Sequence, residues 1–150
     1  MKTLFHRFFA PGVNSPMANL GLLVLRVWLG VAILANHGWD KLVHFNQMAG
    51  KFPDLLGIGS TGNLALALFA EFFCGALLVI GLVTRFAALV LAINLAVAFC
   101  LVHKMAMSGQ HSGELAFIYL AGFVTLLIAG PGRYSADASL FAKPLKSAAP

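Results

Sequence analysis

Apolar residues gather in four long runs, at 20–37, 64–83, 86–102 and 115–130, separated by shorter polar stretches. A helix needs about 20 apolar residues to cross a bilayer core, with roughly 17 as a lower limit. The first three runs meet that length, and the fourth does when Glu114 opens its first turn. The six prolines, at 11, 16, 53, 131, 144 and 150, all fall outside these runs, where a residue that breaks the helical hydrogen-bond ladder belongs. The pattern predicts an all-α protein: a bundle of four transmembrane helices over residues 20–138, with an N-terminal arm at 1–19 and a tail at 139–150. A second turn as short as Thr84 and Arg85 makes helices two and three antiparallel neighbours. The longer first loop, 38–63, mixes Phe45, Met48, Phe52, Leu55, Leu56 and Ile58 with Lys51 and Asp54. Its first half reads as a short interfacial helix on the outer leaflet, with residues 57–62 as a turn. The last run stops at Gly130-Pro131-Gly132, and Arg133 and Tyr134 follow as an interfacial anchor pair.

Composition excludes a soluble domain. Hydrophobic residues make up 60% of the chain and charged residues 10%, against about 25% charged in soluble proteins. The net charge of +5 is spread over loops and ends, so it argues for membrane topology and against nucleic acid. Six positive residues, Lys2, Arg7, Arg85, Arg133, Lys143 and Lys146, fall on one side, and three, Lys41, Lys51 and Lys104, on the other. The positive-inside bias puts both termini in the cytoplasm of a multi-pass protein of the cell's inner (plasma) membrane. Residues 1–19 lack an apolar core of their own, so the first helix is expected to act as an uncleaved insertion signal.

Two charges lie inside the runs, Arg26 and Glu71. A charge at mid-span costs about 2.5–3.5 kcal/mol on insertion scales, so each needs a partner, a cavity or a task. On a helical wheel Arg26, Gly30, Ile33, His37 and Asp40 share a stripe. Ala67, Glu71, Gly75 and Leu78 share another, whose small residues favour close helix approach. Helix three offers Asn94 between Ala87 and Ala98; helix four offers Glu114, Ile118, Ala121 and Thr125. Helical rise puts the Arg26 and Glu71 backbones about 10 Å apart in depth, and side chains lean toward their own helix N-terminus, away from each other. A direct pair is therefore disfavoured. Arg26 is expected to snorkel to headgroups or to bind a polar ligand. Glu71 is expected to line a pocket toward the outer face, with His37 and His103 as its nearest titratable neighbours. Both charges serving only to hold helices together is the competing reading.

The outer end gathers His37, Asp40, His44, His103, His111 and Glu114, with Trp39 beside them; His6 lies far off in the arm. Such a pocket suits a quinone, whose ring is apolar and whose carbonyls need donors that pass protons. In that reading Glu71, His37 and His103 handle protons, while Arg26, Gly30, Gly75, Asp40 and Glu114 form the binding slot. Histidines that merely face water are the alternative. In the third loop, His103, Met105, Met107 and His111 offer soft ligands suited to Cu(I), a weaker reading than lipid-facing methionines. Cys74 and Cys100 sit at different depths without a CxxC motif, which argues against a disulfide.

Three segments also resemble a known family. Leu25-Arg26, Gly30, His37-Gly38 and Lys41-Leu42 form the first; Glu71, Gly75 and the run from Gly81 to Leu89 the second; Gly130-Pro131-Gly132-Arg133-Tyr134-Ser135-Ala136-Asp137 the third. Together, over about residues 20–138, they resemble the DoxX family of small four-helix membrane proteins. The resemblance implies quinone-linked redox chemistry beside partner proteins, since some members are tied to quinone-coupled sulfur oxidation or redox-stress complexes. Three function classes follow: a subunit or enzyme of quinone-linked electron transfer, a non-catalytic membrane anchor or assembly partner, and a transporter of protons or copper. The lipid bilayer is the common partner, with a membrane complex or a homo-oligomer as the expected assembly. The absence of broken helices or an inverted repeat argues against transport.

Overall fold

The computed structural model describes residues 15–141. His6, the first fourteen residues of the arm and the tail from residue 142, with its lysines, lie outside the described residues. All regular structure among the described residues is helical. Three helices are long and apolar enough to cross a membrane, α1 (Pro16–Val43), α3 (Ser60–Ile80) and α4 (Thr84–Val102), and a shorter apolar helix, α5, covers Glu114–Ala129. A single turn, α2 (Phe45–Met48), follows α1, and a short helix, α6 (Ala136–Phe141), closes the described chain.

Helix α1 is longer at both ends than its apolar run. Pro16 sits in its first turn, where its missing N–H has no intrahelical partner to lose, and the helix carries on past His37 to Val43. Helix α3 stops at Ile80 because Gly81 takes a left-handed conformation, φ 78°, and its N–H and that of Leu82 close back on Leu77. The turn is therefore residues 81–83, not Thr84 and Arg85, which instead begin α4. Val83 is also left-handed, φ 44°, a conformation in which a β-branched side chain is strained.

The core lies among α1, α3, α4 and α5, with Ile33, Leu78, Leu91, Phe123 and Leu126 fully enclosed. Gly30 and Gly75 mark the crossing of α1 and α3: a methyl group on Gly30 would stand 3.1 Å from the Gly75 carbonyl oxygen. Close backbone approach of this kind is how membrane helices associate. The α5 stripe read from the sequence is corrected. Ala116, Tyr119, Phe123 and Leu126 face the bundle, while Glu114, Ile118, Ala121 and Thr125 are exposed. Thr125 satisfies its hydroxyl within the helix by donating to the Ala121 carbonyl, 2.8 Å, so it requires no partner across the bundle.

Each long helix contains one π-helical turn: Leu34–Gly38 in α1, Phe69–Cys74 in α3 and Ala98–Val102 in α4. A π turn takes in one residue more than an α turn and rotates everything after it. That is why the buried stripe of α1 runs Leu22, Arg26, Gly30, Ile33 and then Gly38. Asp40 is turned out to the surface, where it pairs with His44 at 2.9 Å. The π turns of α1 and α4 lie toward the end of the bundle away from the 81–83 turn, the loop end, and that of α3 lies at mid-helix.

Candidate functional site

The intramembrane charges belong to two separate constructions. At the turn end, Arg26 is fully buried. Its guanidinium donates to the carbonyl oxygens of Pro131, 3.1 Å, and Tyr134, 2.7 Å. The segment 130–137 thereby folds back over the end of the bundle as a strap. Asn19 accepts from the Arg133 N–H at 2.6 Å. Asp137, completely enclosed, accepts from the N–H groups of Val83, 2.6 Å, and Thr84, 2.8 Å, and its own N–H donates to the Gly81 carbonyl. Asp137 caps the start of α4, holds the strained Val83 in place, and lies within electrostatic reach of Arg26. Gly81 must be glycine twice over, for its positive φ and because a Cβ there would strike the Arg26 guanidinium. Arg26 neither snorkels outward nor reaches the other polar cluster, and Gly30 and Gly75 are spent on helix packing.

The second construction is at the loop end. Glu71 lies in the π turn of α3 and is nearly buried. Its Oε2 accepts from the Lys41 ammonium at 2.5 Å, and its Oε1 from the Asn94 amide at 3.1 Å. The side chains of Lys41 and Glu71 are only 15% and 10% exposed, so each charge depends on the other. Gly38 makes the approach possible: a Cβ there would lie 2.8 Å from the Glu71 and Phe72 backbone. Lys41, not His37 or His103, is thus the nearest titratable neighbour of Glu71. The continuation of α1 past its π turn brings the lysine over the acid, whereas a regular wheel puts Asp40 on the buried stripe in its place.

Lys41, Glu71 and Asn94 form part of the wall of a cavity of about 630 Å³. His37 and His103 line it too, with Tyr119 from α5, while Leu66, Ile93 and Leu115 carry the lining out to the apolar surface. The volume lies within the roughly 300–1,000 Å³ of small-molecule sites, and the mix of apolar walls with a few convergent polar groups is typical of them. The structure thus unites Glu71, His37 and His103. It leaves Arg26, Gly30, Gly75, Asp40 and Glu114 outside the lining. Lys41, Asn94 and Tyr119 are the additions. Asn94 stood out in the sequence as a lone amide in an apolar run, but nothing in the pattern tied Tyr119 to the site.

The third loop folds around its own backbone. The His103 imidazole Nδ1 lies 3.0 Å from the His111 carbonyl oxygen, so His103 donates there and, in the neutral ring, has its acceptor at Nε2. Met105 and Met107 are exposed. No group of three or more His, Cys, Asp or Glu side chains among the described residues is placed to hold a metal ion. Cys74 is buried and Cys100 exposed, both as free thiols.

The family model of DoxX matches residues 21–104, which include most of α1, all of α3 and α4 and the whole Lys41–Glu71–Asn94 cluster. The chain belongs to the DoxX family. It is also 29% identical to an uncharacterized membrane protein of Mycobacterium tuberculosis, over 79% of this chain and 80% of that one. No solved structure matches it. As a DoxX protein it is a membrane protein, and lipid is the surrounding of its apolar helices. The match ends before the 130–137 strap, so the strap's role in this chain rests on the contacts of Arg26 and Asp137 alone.

Proposed function

We propose that this DoxX-family protein binds the ring of a quinone in the loop-end cavity and serves quinone-linked redox chemistry as a subunit beside a partner protein. In this reading α5 is the fourth and shortest crossing of the inner membrane, both termini are cytoplasmic, and the loop end faces outward. One observation carries the proposal: a mostly apolar cavity, continuous with the lipid-facing surface, has a buried ion pair and a histidine on its wall. A flat apolar ring with polar edges fits such a lining, and a lipid-soluble molecule reaches it sideways past Leu66 and Ile93. Quinone reduction takes two electrons and two protons. The electrons come from a redox centre of the partner protein, and His37 and the Lys41–Glu71 pair, as titratable groups in the wall, supply the route for protons.

The test is binding to the purified protein in lipid nanodiscs, with a decyl-substituted benzoquinone as probe and empty nanodiscs subtracted. Saturable binding is expected for the wild type, and its loss in Ala98→Phe, which fills the cavity from the α4 side. Binding no greater than to empty nanodiscs, or undiminished in Ala98→Phe, replaces this reading with that of a non-catalytic membrane anchor.

A further inference from the structure

Within the cavity, and resting on the quinone reading, we propose that His37 and Tyr119 are the groups that hold the ligand's carbonyl oxygen, while Glu71 does not touch it. A carbonyl needs donors. An ionised carboxylate has none to give, and both Glu71 oxygens are already taken, one by Lys41 and one by Asn94. His103 spends its donor on the His111 carbonyl, which leaves the other nitrogen of the neutral ring an acceptor. Asn63 spends its amide on Asp54 and on the Gly59 carbonyl. Lys41 is drawn onto Glu71 at the rim, one helical turn beyond His37.

Asn94 and Ser112 line the cavity as well, but each already has a hydrogen-bond partner, Glu71 and the Glu114 N–H, whereas His37 and Tyr119 have none among the described residues. They stand edge to face beside each other in the lining, from α1 and α5, with ring centroids 6.2 Å apart and planes at 89°. Both line the cavity, and neither side chain hydrogen-bonds to any described residue. Tyr119 is held rigid by stacking on Phe123, centroids 5.9 Å apart at 20°. The π turn of α1 is what sets the His37 ring opposite it. Lys41 and Glu71 then act as positioning residues: their neutralised pair fixes the electrostatic surroundings of His37, which lies within reach of both charges. The chemical class selected is a ring bearing a carbonyl, in preference to a hydrocarbon of the same shape.

The experiment compares the decyl-substituted benzoquinone with decylbenzene, which has the same tail and a ring without carbonyls, in nanodiscs carrying wild type, Tyr119→Phe or His37→Leu. Tyr119→Phe removes one hydroxyl and keeps the stacked ring. Each substitution is expected to weaken quinone binding by about three- to tenfold, the worth of one neutral hydrogen bond, and to leave decylbenzene binding unchanged. Undiminished quinone affinity in both variants overturns the assignment while the quinone reading stands. Equal losses for both ligands overturn it as well, because packing and not a hydrogen bond was then removed. A wild type that binds no quinone removes both proposals together.

Discussion

Glu71 and Lys41 neutralise each other in a nearly sealed position, and that pairing sets what substitution does there. Glu71→Gln keeps the volume but leaves an ammonium partly buried without its counter-charge, at a cost of about 3 kcal/mol. The double substitution Lys41→Met, Glu71→Leu removes both charges and is expected to recover most of that loss. Denaturant titration of the three proteins in mixed micelles checks both statements; a single variant as stable as the wild type would show that the pair contributes nothing. Gly38 is equally constrained. A methyl group 2.8 Å from the α3 backbone has no flexible side chain to push aside, so Gly38→Ala is expected to cost about 1–3 kcal/mol by overpacking. The same titration measures it, and loss of quinone probe binding should accompany it as α1 moves off α3.

At the level of elements, the start of α4 depends on a residue more than fifty positions away. The Asp137 carboxylate caps the N–H groups of Val83 and Thr84 and holds Val83 at φ 44°, which no β-branched residue adopts without strain. Asp137→Ala removes both bonds and is expected to lower stability by about 2 kcal/mol, the upper end for a lost helix cap. Loss of the strap should also show as faster amide hydrogen exchange at Val83 and Thr84. Unchanged exchange there would mean that the turn 81–83 holds its own shape. The π turns matter at this scale as well. By taking in an extra residue, each re-aims the last part of its helix, and in α1 this is what separates buried Gly38 from outward Asp40.

Across the whole molecule, the strap and the 81–83 turn close one end of the bundle, and the cavity opens near the other. Single cysteines at Ser139 and Ser60 are expected to react with a membrane-impermeant reagent from opposite sides, in a background where exposed Cys100 is replaced by alanine; Cys74 is fully enclosed. Labelling of both from the periplasmic side would overturn the proposed topology. The separation of the two ends also explains why Arg26 and Glu71 do not meet: each is satisfied within its own cluster, Arg26 by backbone carbonyls of the strap and Glu71 by Lys41 and Asn94.

Length and apolarity by themselves determined the helices and their membrane character, because a bilayer demands long uninterrupted apolar runs and a soluble surface demands charge. The stripe Ala67, Glu71, Gly75 and Leu78 was legible too, and all four are buried: its steps of four residues around Glu71 suit the wider π turn as well as an α turn. What residues touched was decided only by tertiary structure. The α5 stripe was misread because Thr125 and Glu114 look polar enough to face inward, yet Thr125 satisfies itself within its helix and Glu114 sits at the helix start. Lys41 went unrecognised as the partner of Glu71 because a π turn, which has no reliable sequence signature, shifts the wheel just before it. Asp137 was legible only as part of a motif, since a cap from a distant segment leaves no local periodicity. Spacing records a helix's own geometry; pairing across helices, and the cavity it leaves, exists only once the chain has closed on itself.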